Sequence, residues 1–163
     1  MVQFILSFII MSYGLLGAPS IQFSADTITL AMPDTMQASG NAQFEYNNIR
    51  LRAQQFQYNI DTQTGQFNTN VVITHNNSTL KGEQFTANIL KNKITGHRNI
   101  ELTTTSIQAT SDDLIIENGA ILTLLNNVYI KQNGSQIKSN QLIYNLKTDT
   151  IISNKRTKFT IKE

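Results

Sequence analysis

One spacing dominates this sequence: a unit of about 29 residues returns through most of its length. Phe56, Phe85, Leu114 and Leu142 stand 29, 29 and 28 residues apart. The same steps carry Asn41 to Asn70, Asn99 and Asn127, each followed by a small or aliphatic residue: Ala42, Val71, Ile100 and Val128. Phe44, Ile73, Leu102 and Ile130 keep the register, as do Leu51, Leu80, Ala109 and Ile137. A partial last copy from Lys155 to Glu163 puts Phe159 at the aromatic or aliphatic position. A repeat of this length is one supersecondary unit that cannot bury its apolar face alone. The chain is expected to fold as a stack of such units over one continuous core.

Within a unit the period is two. Ala42, Phe44 and Tyr46 point one way, as do Val71 with Ile73 and Val128 with Ile130, which is the alternation of a half-buried strand. Asn47-Asn48, Asn76-Asn77, Ser106 with its Thr neighbours, and Asn133-Gly134 follow as turns, where Asn and Gly accept positive φ. In the next strand the apolar positions change parity, between Ala53 and Phe56, between Gly82 and Phe85, and between Ser139 and Leu142. One extra residue does this, so a β-bulge or strand corner is expected in every unit. A second turn (Asp61 to Gly65, Leu90 to Lys93, Asn118-Gly119, Leu146 to Asp149) precedes a third apolar piece (Phe67; Ile94; Ile121 to Leu124; Ile151-Ile152). The expectation is an all-β stack, a solenoid-like or jelly-roll sheet sandwich, with about three strands per unit.

Ahead of the repeat, Val2 to Leu16 is almost wholly apolar and Asp26 is the first charged residue. The stretch is short of the roughly 20 residues that span a bilayer, and Gly17, Ala18, Pro19 and Ser20 suit a signal-peptidase site. Residues 1–20 are expected to be a signal peptide and 21–163 the folded domain. Because the amino-terminal end lacks Lys and Arg, an uncut signal anchor is the alternative, and either version exports the remainder.

Of the 163 residues 15% are charged, the net charge is +2 and there are no cysteines. No basic run is dense enough for nucleic acid, and disulfides, zinc-thiolate sites and thiol catalysis are excluded. His75 and His97 have no third ligand spaced around them and read as surface turn residues. Asp112-Asp113 falls where Gln54-Gln55 and Asn140-Gln141 stand in sister units, and so reads as a polar corner rather than an acid/base dyad. Neither an enzyme nor a cofactor is expected.

Gly40-Asn41-Ala42, then Leu51-Arg52-Ala53-Gln54-Gln55-Phe56-Gln57-Tyr58-Asn59, then Asp61-Thr62-Gln63-Thr64-Gly65 resembles the OstA-like domain of the LptA, LptC and LptD lipopolysaccharide-transport family. Ala25 to Ile28 resembles the family's opening, and the likeness extends over everything after the leader. Later copies depart from it, with Thr69, Arg98 and Asn126 in place of the Gly. The resemblance implies an open, V-shaped jelly roll in the periplasm that holds lipopolysaccharide acyl chains in its apolar interior. It also implies end-to-end joining through edge strands to itself and to LptC-like and LptD-like partners. The candidate lining is Phe44, Phe56, Tyr58, Ile73, Phe85, Leu102, Leu114, Ile130, Leu142, Tyr144 and Phe159. A closed core without ligand is the alternative for these residues. For the whole chain the alternatives are an LptC-like component anchored by an uncut leader, or a self-assembling β-repeat scaffold that carries no lipid.

Overall fold

The alternating pattern folds into antiparallel strands, the long ones each hydrogen-bonded to their sequence neighbours. The computed structural model describes residues 8–9, 22–31, 34–46 and 49–161, so the expected leader lies outside the described residues apart from Phe8–Ile9. The elements are β1 (Phe8–Ile9), β2 (Gln22–Ser24), β3 (Thr27–Ala31), β4 (Thr35–Tyr46), β5 (Ile49–Asn59), β6 (Thr64–His75), β7 (Ser78–Asn88), β8 (Lys93–Thr103), β9 (Gln108–Glu117), β10 (Ile121–Gln132), β11 (Ser135–Asn145), β12 (Thr150–Ile152) and β13 (Lys158–Thr160). All belong to one sheet, in which β4 to β11 follow one another in chain order.

Each long strand bends at its middle. Pairing skips between Ser39 and Ala42, Asn68 and Val71, His97 and Ile100, and Leu125 and Val128. The skipped residues are Gly40-Asn41, Thr69-Asn70, Arg98-Asn99 and Asn126-Asn127, and all eight have left-handed backbone with φ between 48 and 71°. On the adjoining strand a single residue faces each pair (Gln54, Glu83, Asp112, Asn140), so these are bulges of two residues against one. Asn tolerates this conformation better than other side chains because its short amide bonds locally. Here it reaches back to the preceding strand: the Nδ2 of Asn41, Asn99 and Asn127 donates to Asp26, Glu83 and Asp112 at 2.9, 2.5 and 2.6 Å.

The bulges divide the sheet into two halves that share strands. One half joins β3, the β4 segment 35–39, the matching ends of β5 to β11, and β12. The other joins β2, the β4 segment 42–46, the opposite ends of β5 to β11, and β13. β2 and β3 thus act as two halves of one strand with its corner at Ala25-Asp26, where Asp26 N donates to Gly40 O at 2.8 Å. The halves face each other, since Phe44 on one lies with its ring centroid 5.6 Å from that of Phe67 on the other, and Phe23 lies 5.2 Å from Phe56.

The sequence reading of three strands per unit is corrected to two. The third apolar piece does not end at the repeat Asn but runs through it; Thr64–His75 is one strand. A left-handed pair adds one residue relative to the neighbouring strand and leaves the ladder free to resume beyond it, so Asn marks a corner and not a turn. The tight turns fall where expected, at Asn76-Asn77 and Asn133-Gly134, and Asn133 and Gly134 both have positive φ (48 and 83°). Asn47-Asn48 lies outside the described residues.

Candidate functional site

The inward residues of the two half-sheets form one apolar interior that runs the length of the stack. Its composition changes along the axis. Phe23, Phe44, Phe56, Tyr58 and Phe67 pack ring against ring at the amino-terminal end, with Phe56 and Phe67 stacked at 4.6 Å. Leu114, Leu122, Leu124, Val128, Ile130 and Leu142 fill the other end. Among the described residues Ser111 is the only buried polar one outside the tyrosines, and its Oγ donates to the Asp113 carbonyl at 2.9 Å. Phe85 sits between, over Gly82 and Gly96, where no Cβ comes between ring and backbone.

Of the candidate lining residues, Phe44, Phe56, Tyr58, Ile73, Phe85, Leu102, Leu114, Ile130, Leu142 and Tyr144 all lie in this interior, none more than 5% exposed. Phe159 does not join them. It is 56% exposed on the edge strand β13, beyond the reach of the opposing half-sheet. The list missed Phe23, Met36, Phe67 and Ile107, which are equally buried. Phe67 was legible from hairpin register, because the turn at Ile60 to Gln63 sets it opposite Phe56. Ile107 had no such signal, since it sits in a loop.

Along one side the half-sheets part in an apolar mouth. Ile49, Ile73, Leu80 and Leu102 line one lip and Ile94, Ile116, Leu122 and Leu146 the other, with His75 and Ser78 at the rim. The free volume here is about 40 Å³. On the opposite side the corners carry the polar residues. His97 Nδ1 lies 2.7 Å from Asp113 Oδ1, and Asn126 Nδ2 donates to Asp113 Oδ2 at 2.8 Å. These hydrogen bonds, with the nearby His97 charge, hold the Asp113 carboxyl below the usual carboxylate range. Asp112 and Asp113 are therefore committed to separate partners along the corner rather than to each other. His97 stands on a strand beside a bulge, not in a turn as the sequence suggested. No three His, Asp or Glu among the described residues gather closely enough to hold a metal ion. No helix among the described residues is long and apolar enough to cross a membrane.

Residues 50–150 match the family described as LptA/(LptD N-terminal domain) LPS transport protein. The chain belongs to this family. Its match spans the bulged strands from β5 to the end of β11, the part that holds most of the interior. In fold the chain is similar to the crystal structure of LptH from Pseudomonas aeruginosa, described as the LptA-homologous periplasmic component of the conserved lipopolysaccharide transport device. The two superpose with a TM-score of 0.64 at 15% identity, over 71% of this chain and 95% of that one. No curated protein matches the chain by sequence. LptA-family membership and the curled antiparallel sheet agree with the OstA-like resemblance of the repeat.

Proposed function

We propose that this LptA-family chain carries lipopolysaccharide through the periplasm, with the acyl chains between the two half-sheets and the sugars in water. The observation that carries the reading is the interior: one apolar channel-like core, continuous along the stack and free of buried charge among the described residues, reached through an apolar mouth. Each acyl CH₂ buried there would contribute about 0.8 kcal/mol. At rest the interior is filled by side chains, and 40 Å³ falls well short of an acyl chain. Loading therefore requires the half-sheets to spread, hinging on the bulged corners.

Bridging rests on the edges. β3, β12 and β13 each pair on one side only among the described residues, and Leu30, Ile152, Phe159 and Ile161 are exposed there. Such edges are templates for strand addition, and they suit head-to-tail contact with a second copy or with LptC-like and LptD-like partners. The mature form in this reading is 21–163, with the leader removed.

Thermal unfolding in the presence of lipid A tests the carrier reading. At a free concentration 100 times the dissociation constant, binding to the folded state alone adds about 2.7 kcal/mol, and the midpoint rises accordingly. The fully deacylated glycan, at the same concentration, is expected to leave the midpoint unchanged. A shift with both, or with neither, would count against acyl-chain binding.

A further inference from the structure

The loop between β8 and β9 breaks the pattern of its sisters. Two residues separate the last paired positions His75 and Ser78, and two separate Gln132 and Ser135, whereas four separate Thr103 from Gln108. The extra length is organised. Thr104 Oγ1 accepts from Ser106 N and Ile107 N at 3.2 and 3.1 Å, and Thr104 N donates to Ile107 O at 2.9 Å. This local bonding turns Ile107 inward, where it is 2% exposed and part of the core. It also points Ser106 across the mouth.

On the far lip Asp149 receives it. Ser106 Oγ donates to Asp149 Oδ1 at 2.6 Å, and Tyr144 OH donates to the same oxygen at 2.5 Å. Ser106 Oγ and Tyr144 OH are themselves 3.3 Å apart. The three residues come from opposite half-sheets: Ser106 joins the ends of β8 and β9 in the β13 half, whereas Tyr144 and Asp149 flank the turn into β12. Asp149 follows Tyr144 by five residues, at the place Gln63 holds after Tyr58 and Asn92 after Ala87, with the same left-handed backbone. The backbone geometry is thus common to these turns, while the carboxylate is confined to the turn that faces Ser106. Leu146, within that turn, lines the mouth directly.

We infer that Ser106, Tyr144 and Asp149 form a latch that ties loop 104–107 across the mouth and must release before an acyl chain enters the carboxy-terminal section of the interior. The inference rests on the carrier reading and deepens it. It divides the mouth into a stretch around Ile49, Ile73 and Leu80, apolar except for His75 and Ser78 at its rim, and a stretch strapped shut by Ile107 and the latch. Loading would begin at the first and proceed to the second.

Two measurements test it. In the full chain, Asp149→Ala is expected to speed hydrogen exchange at residues 104–107 about tenfold, the effect of losing bonds to a charged acceptor, while exchange in β5 and β6 stays unchanged. Unchanged exchange in the loop overturns the latch. The chain has no cysteines, so Ser106→Cys with Asp149→Cys offers a clean, reversible lock. With a dansyl-labelled long-chain fatty acid as probe, the oxidised double variant should load at least about tenfold more slowly than its reduced form, and Asp149→Ala should load faster than the parent. Equal loading by oxidised and reduced protein overturns the gating role. If the probe fails to bind even the parent, the carrier reading falls instead, and exchange alone then decides whether the latch exists.

Discussion

Phe85→Ala is expected to lower unfolding stability by about 3–5 kcal/mol, the range for removing a fully buried aromatic ring. The ring lies at the middle of the stack, 1% exposed, between two glycines. A Cβ on Gly82 would come within 2.8 Å of Phe85 Cε2, and one on Gly96 would meet the same ring more closely still. Gly96→Ala in the parent therefore overpacks the core, at a cost of about 1–3 kcal/mol. In the Phe85→Ala background most of that cost should vanish, because the atom that obstructs the new methyl has gone. Urea unfolding of the four proteins gives the coupling directly. The expected sign is less destabilisation in the double variant than the sum of the singles, by about 1–2 kcal/mol. Additive losses would mean that Phe85 and Gly96 do not share the contact described.

Asn126→Val with Asn127→Val should cost about 2–4 kcal/mol, since a left-handed backbone costs a side chain about 1–2 kcal/mol per residue and β-branched residues tolerate it worst. The pair has φ of 61 and 51°. The change also removes two amide donors, from Asp113 and Asp112. Asn126→Gly with Asn127→Gly separates the two contributions: glycine keeps the backbone and loses only the side-chain bonds, so it should destabilise by well under half as much. Equal losses would place the stability in the amides rather than in the corner conformation. Thermal or urea unfolding reads either result.

The parity change between Ala53 and Phe56 announced a bulge, because a period of two leaves no other way for Leu51, Ala53, Phe56 and Tyr58 all to reach one core. The matching distortion on β4, β6, β8 and β10 was hidden. There the step from Ala38 to Ala42 and from Phe67 to Val71 is four residues, two of those between being left-handed; an even step preserves parity, so the repeat Asn looked like a strand end. Burial of the ten interior candidates followed from alternation alone. Phe159 failed because alternation places a side chain on a face without saying whether the opposing half-sheet extends that far. The latch was out of reach for a different reason: Ser106 and Asp149 are 43 residues apart, and only the folding of one half-sheet onto the other brings them together.

The central claim is that acyl chains lie between the half-sheets and not on their outer faces. A photoreactive benzophenone residue placed at Leu102, on the lip of the mouth, and in a separate protein at Gln66, exposed on the outer face, tests it during incubation with lipopolysaccharide. The predicted result is a lipid adduct at Leu102, abolished by excess unlabelled lipid A, and none at Gln66. Adducts at both positions in equal yield, or at Gln66 alone in a folded protein, would contradict it.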